Sequence, residues 1–323
     1  MEKLKINAYL PKRKKIHIST TAILFIALAM IFLIFSLLSK KFYGIENLIS
    51  MLKNISYIGI VAVGMSLALL GADADLSVGA NAGLTGIVMA IANNKGINIW
   101  VCLLIGLAVG FLIGAINGII TTRTGIHPLI TTIGMLSILQ GLSLTFTNGQ
   151  SILLQNNVLN FIGNGRLGNI PFSVVLVILF FIVFYFFINK TKYGRRVQII
   201  GLNPKAAFLV GIKVQKIRTL NYIIVGMCAS VAGILISGMT GVGMVQNGDG
   251  MQMLVLTAVF LGGASLYGGK ANILGTFAGV LIISAIYNGL TMMNMSYFVV
   301  RLVRGIIIIL VVAAYEARER KRY

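Results

Sequence analysis

Acidic side chains are what this 323-residue sequence has least of: seven, against 27 lysines and arginines, for a formal net charge of +20. Charged residues of both signs make up only 11% of the chain, while 58% is hydrophobic and the mean hydropathy is +0.94. A water-soluble globular domain carries about a quarter charged residues. So low a share excludes that class and indicates an integral membrane protein. The two cysteines, Cys102 and Cys228, stand far apart in apolar stretches, which argues against a disulfide framework or a CxxC metal site. The two histidines, His17 and His127, lack an acidic neighbour or a ligand spacing, and GxSxG, HExxH and paired intramembrane carboxylates are missing, so no catalytic or metal-binding constellation is indicated. The nearest approach to a phosphate-binding GxxxxGK[ST] loop, Ala264 to Ala271, fails at the first glycine and at the final hydroxyl residue. No bound cofactor is expected, and energy for any work must come from a partner or a gradient.

What is there is a series of apolar runs. Lys12, Arg13, Lys14 and Lys15 precede Ile18–Leu38, whose roughly 21 residues exceed the 7–15 of a signal-peptide core and suffice to cross about 30 Å of hydrocarbon. Further runs follow at Asn47–Leu70, Leu76–Asn93, Asn98–Thr121, Leu129–Thr147 and Pro171–Asn189. After a polar interval come Thr219–Thr240, Gln252–Leu266, Asn272–Met293 and Tyr297–Tyr315. The expected architecture is all-α and polytopic, about ten transmembrane helices in a single domain. Its parts are a basic tail (1–17), six spans (18–189), a loop (190–218), four spans (219–315) and a second basic tail (316–323).

The interval Asn189 to Arg218 holds eight basic residues and no acidic one. Twenty of the 27 basic residues lie there, in the tails, or at Arg123 and Lys270. That is the positive-inside distribution of a membrane protein rather than a nucleic-acid surface. It places both termini and the interval in the cytoplasm, and six plus four crossings satisfy it, although Lys40, Lys41 and Lys53 fall on the other side. Within the interval Asn203 suits an N-cap, Pro204 the first helical position and Gly211 the C′ position. A helix of about two turns, roughly Pro204 to Val210, is expected at the surface, either as a docking element or as a solvated connector.

Gly106, Gly110 and Gly114 form a GxxxGxxxG ladder in the fourth span, and Gly275 with Gly279 a second in the ninth, spacings that let helix backbones approach closely. Similar phrases follow each, Ile113 to Gly118 and Ile283 to Gly289, on spans of opposite direction. This is the pattern of an inverted repeat of spans two to five against seven to ten. Asp73 and Asp75 stand between the second and third spans. Asp75 reads as an N-cap of the third helix or, with Ser77, as a lining of a solute path. The amides Asn81, Asn117, Gln140 and Asn288 lie inside spans and either line such a path or join helices. Arg301 and Arg304 share a face near the outer end of the last span, positioned to reach headgroups or to sit beside an anionic group on the path. The polar segments Asn148 to Asn169 and Gly241 to Gly250 fall on the outer side.

Taken in order, Val63-Gly-Met65, Asp75-Leu-Ser-Val-Gly79, His127-Pro-Leu-Ile-Thr-Thr-Ile-Gly134, Tyr193-Gly-Arg195, Gly201-Leu-Asn203-Pro-Lys-Ala-Ala207, Gly211-Ile212, Leu261-Gly-Gly-Ala-Ser265, Gly268-Gly269-Lys270 and Gly275-Thr276 resemble the ribose-type permeases of bacterial ABC importers, in the branched-chain amino acid/ribose permease superfamily. The resemblance runs from about Asn47 to Arg304. It implies a bacterial plasma-membrane permease for a monosaccharide that works with a second permease copy or paralogue, two ATP-binding-cassette ATPase subunits and an extracytoplasmic binding protein. ATP would be used by the partners. The resemblance also makes Asn203, Pro204, Lys205, Ala206, Ala207, Phe208, Gly211 and Ile212 the helix that couples to the ATPase, with Ala206, Ala207, Phe208 and Val210 exposed for docking. Two positions depart from the sugar permeases, Lys205 and Gln252, where acidic residues are usual. A nucleoside, a branched-chain amino acid or a furanose-like signalling molecule is the alternative cargo, and a gradient-driven carrier the alternative class.

Overall fold

The computed structural model describes residues 20–320; the basic segment 1–17, including His17, and residues 321–323 lie outside the described residues, as does the side chain of Arg304. The apolar runs become helices in chain order: α1 (Thr20–Leu38), α2 (Ile45–Leu70), α3 (Val78–Asn94), α4 (Ile99–Thr124), α5 (Pro128–Thr147), α6 (Asn157–Asn164), α7 (Phe172–Lys190), α8 (Lys192–Leu202), α9 (Pro204–Leu209), α10 (Val214–Thr240), α11 (Met251–Leu261), α12 (Ile273–Met292) and α13 (Tyr297–Arg320). All ten expected spans are helical. Seven of these helices, α1, α2, α4, α5, α7, α10 and α12, are long and apolar enough by themselves to cross a membrane. The expected boundaries shift most in three places: α10 begins five residues earlier than the apolar run, the expected eighth span is helical only as far as Leu261, and α13 runs on to Arg320, five residues past the expected Tyr315. Two helices fall in stretches read as loops, α6 in the outer segment and α8 in the basic interval.

The core is built on α2 and α10. Every residue of α2 from Ile58 to Leu70 is buried, as suits a helix apolar all round. Around this pair the packing is exchanged between the halves: α3 and α4 lie on α10, α11 and α12 on α2, α5 on α3, and α13 on α11. That is the arrangement an inverted repeat of spans two to five against seven to ten generates. The glycine ladder explains the most extensive contact between helices. A Cβ on Gly110 would overlap the backbone carbonyl of Gly226, so α4 and α10 meet backbone to backbone. The second ladder works alike, with Gly275 and Gly279 against Gly262 and Ala258.

Each half is broken at the same place. Between α2 and α3 the chain leaves the helix over Gly71–Ser77, and between α10 and α11 over Gly241–Gly250, where a 3-10 turn (Val245–Gly248) sits. The helices after the breaks are short, 17 residues for α3 and 11 for α11. Their starts lie inside the bundle. The Asn81 amide, four residues into α3, donates to the Gly226 carbonyl, which stands roughly 18 Å up α10 from its first residue. Gly248, just before α11, packs its backbone on that of Gly79, in the first turn of α3. Two residues of one break pair with the other outer segment, Ile152–Leu153 against Val242–Gly243.

Candidate functional site

The α2–α3 break gathers most of the buried polar side chains predicted to matter. Asp75 accepts from the backbone N–H of Ser77 (2.8 Å) and from its hydroxyl (2.6 Å), closing a turn that starts α3. This is the capping role read from the sequence, except that Ser77 itself occupies the position before Val78. Asn117 on α4 donates to the Ser77 hydroxyl (2.9 Å) and to the second Asp75 oxygen (3.3 Å). One turn further along α3, the Asn81 side-chain oxygen accepts from Thr85 and from Ser230 on α10 (3.3 Å each), whose hydroxyls lie 2.9 Å apart. Asp75, Ser77, Asn81 and Asn117 thus form one seam among α3, α4 and α10, all closed off from solvent in this conformation.

The other two amides stand elsewhere. Asn288 on α12 exchanges reciprocal 2.8 Å bonds with Asn47 at the start of α2, joining two helices at the far end of the bundle. Gln140 is half-buried on α5 and makes none of the seam's contacts.

Asp73 has a partner that the sequence conceals, 145 residues away. Arg218 donates to it through Nε (2.8 Å) and Nη2 (2.5 Å), with the carboxylate fully buried and the arginine side chain 22% exposed. Next to it Tyr193 on α8 donates to the Asn221 side-chain oxygen (2.9 Å). Burial, reinforced by the Asp73 carboxylate, pushes the Tyr193 phenol up, so it remains a donor. The ion pair therefore ties the break to α10 at the place where α8 docks. At the other break Asp249 meets Arg301 of α13 at 3.7 Å. Gln252 lies with its side-chain oxygen against Gly79, so an acidic residue at this position would put a charge on the crossing of the two breaks.

On the face carrying α8 and α9, the short helix forms as its caps dictate. The Asn203 side chain accepts from Lys205 N and Ala206 N (3.0 Å each), and Pro204 takes the first helical position. At the other end Gly211, at φ +80°, donates to Phe208 O and Ile212 to Ala207 O, the paired bonds of a Schellman stop. The expected docking surface needs one correction. Ala207 is fully buried against its own chain, because a six-residue helix lying on a surface must turn one side inward. The exposed apolar residues are Phe208 (71%), Leu209 (83%) and Val210 (72%), continued by Leu202 (66%); Leu202 and Leu209 escaped the sequence reading. Ala206 and Lys205 are exposed as expected, and Ile212 is half-buried.

The helix α8 anchors this tip. Thr191 caps it by accepting from Gly194 N (3.2 Å), and its buried side is Gly194, Val197, Ile200 and Gly201, a helical spacing that was visible but masked by the surrounding basic residues. Gly201 packs its backbone on the Leu70 carbonyl at the end of α2 and on Gly269. Gly269 N donates to that same carbonyl (2.9 Å), and Gln198 donates to Gly269 O (3.2 Å). Among the described residues no group of His, Cys, Asp and Glu is arranged to hold a metal ion.

Comparison with known proteins places this architecture. The chain is 34% identical to the ribose import permease protein RbsC of Escherichia coli (strain K12), over 89% of this chain and 91% of the relative. It is 32% identical to the protein of that name from Bacillus subtilis (strain 168), over 89% and 90%, and 29% identical to the L-arabinose ABC transporter permease protein AraH of Azospirillum brasilense, over 91% and 88%. No solved structure matches it. The family described as branched-chain amino acid transport system / permease component matches residues 47–312, and the chain belongs to that family of multi-pass membrane permeases.

Proposed function

We propose that this chain is the membrane permease of an ATP-driven importer whose cargo is a monosaccharide. A binding protein outside the cell delivers the sugar, two ATP-binding-cassette subunits inside supply the energy, and a second permease copy or paralogue completes the pathway. The chain itself binds no cofactor, and ATP is consumed by its partners. In this reading α9 is the element the ATPase grips, so the face bearing α8 and α9, and both termini with it, is cytoplasmic in a bacterial plasma membrane. The observation that carries the reading is a rigid turn, capped at both ends, presenting Phe208, Leu209 and Val210 to solvent amid basic residues. Large apolar side chains held out on an otherwise basic surface are the signature of a docking point. The cargo is supported by relatives named for ribose and for arabinose.

The test is reconstitution. Vesicles holding this chain alone should take up no sugar, and uptake should require ATP, the ATPase and the binding protein. Leu209→Arg, at the most exposed position of the turn, should leave thermal unfolding within about 0.5 kcal/mol of wild type, as at ordinary surface sites. It should abolish ATP-dependent uptake. Normal uptake by that variant removes the docking role, and gradient-driven uptake by the purified chain overturns the importer reading.

A further inference from the structure

Beside the α9 turn, whose Val210, Gly211 and Ile212 form one edge of it, the structure holds a cleft of about 720 Å³ whose basic walls the transport reading does not use. It opens where α7 ends at Lys190 and α10 begins at Val214, the level at which apolar sequence gives way to basic sequence. One wall carries Lys192, Arg195 and Arg196 from α8, and the facing wall Lys213 and Lys216. The central interval contributes no carboxylate, and among the described residues none of these five cations is within ion-pair distance of an acid. Asp73, the acid tied to α10 near this cleft, is already held by Arg218.

The floor is apolar, formed by Ile199, Ile217 and Leu220. On the far side of Lys216 a second cleft of about 300 Å³ shares Leu220 and adds Arg123 and Ile119. From Ile119 the exposed residues Ile116 and Leu112 continue along one side of α4, a helical spacing that runs into the apolar band.

We propose that this cleft seats the phosphate headgroup of an anionic glycerophospholipid from the adjoining leaflet, with an acyl chain laid along Ile119, Ile116 and Leu112. Three observations converge on that occupant. The charge is uncompensated and of one sign, two arginines offer planar donor forks suited to phosphate oxygens, and the basic walls stand over an apolar floor at the height of the headgroups. A soluble anion would use the walls and leave the floor and the α4 track unfilled.

The experiment uses the full-length purified chain without any ATPase, so its outcome is independent of the transport reading. Thermal unfolding in neutral detergent is followed while phosphatidylglycerol or phosphatidylcholine is added, and copurified lipid is counted by native mass spectrometry. The cleft variant is Arg195→Gln/Arg196→Gln/Lys216→Gln, all exposed positions. The control is Lys40→Gln/Lys41→Gln/Lys95→Gln, exposed positions on the opposite face. Phosphatidylglycerol, and not phosphatidylcholine, should raise the wild-type transition and remain bound. The cleft variant should bind it about fivefold more weakly for each charge removed, and the control should behave as wild type. The proposal is overturned if both lipids act equally, if both triple variants lose binding alike, or if inorganic phosphate alone gives the same shift. It is overturned too if the cleft variant keeps its lipid and loses only ATPase binding, which would make the cleft part of a protein dock.

Discussion

The two breaks occupy corresponding places in the two halves and meet at Gly79 and Gly248, yet they solve different problems. The first, Gly71–Ser77, buries two carboxylates completely and answers one with Arg218 and the other with three neutral donors. The second, Gly241–Gly250, keeps its one acid, Asp249, half in solvent with Arg301 at 3.7 Å. The first break is tolerable within the bundle because its backbone lies inside protein rather than against lipid. The charges, however, are bound into structure in only one half, which makes that half the one where polar contacts set helix positions.

Substitutions break this comparison in graded steps. Asp73→Ala leaves the Arg218 guanidinium partly buried without its carboxylate and should cost about 3 kcal/mol in thermal unfolding, the low end for a broken buried pair because the arginine is partly exposed. If that variant melts like wild type, the ion pair is not what fixes the first break. Gly248→Ala forces a methyl group into the Gly79 backbone and should cost on the order of 2 kcal/mol by overpacking. Its effect should not add to that of Gly79→Ala, because the two substitutions share the contact; a double-mutant cycle decides. Asp249→Ala comes last. An exposed pair at 3.7 Å should contribute less than about 1 kcal/mol and fade with added salt, and a larger loss would show that the second break also depends on its charge.

Much of this was legible before any coordinates. The Asn203-Pro204 start and the Gly211 stop of α9 follow from local chemistry alone, and both formed as read. The glycine ladder announced that α4 approaches another backbone closely, because only small residues permit it, but not that the partner is α10. What stayed hidden was nonlocal. Nothing near Asp73 names Arg218 as its partner, and a six-residue helix is too short for periodicity to reveal that Ala207 faces inward while Leu209 faces out. For that reason Ala207→Arg, a substitution that the sequence recommends as a probe of docking, would damage the fold itself, and Leu209 is the informative position. The depth of the breaks was equally concealed, since polar loops at a surface and polar turns inside a bundle have the same composition.

The meeting of Gly201, the Leu70 carbonyl and Gly269 has a mechanical meaning. Three strands of backbone touch there with no side chain between them, so there is no compliant padding to soak up a push. Whatever tugs on the α9 tip must therefore drag the lower end of α2 and the turn before α12 along with it, as one lever.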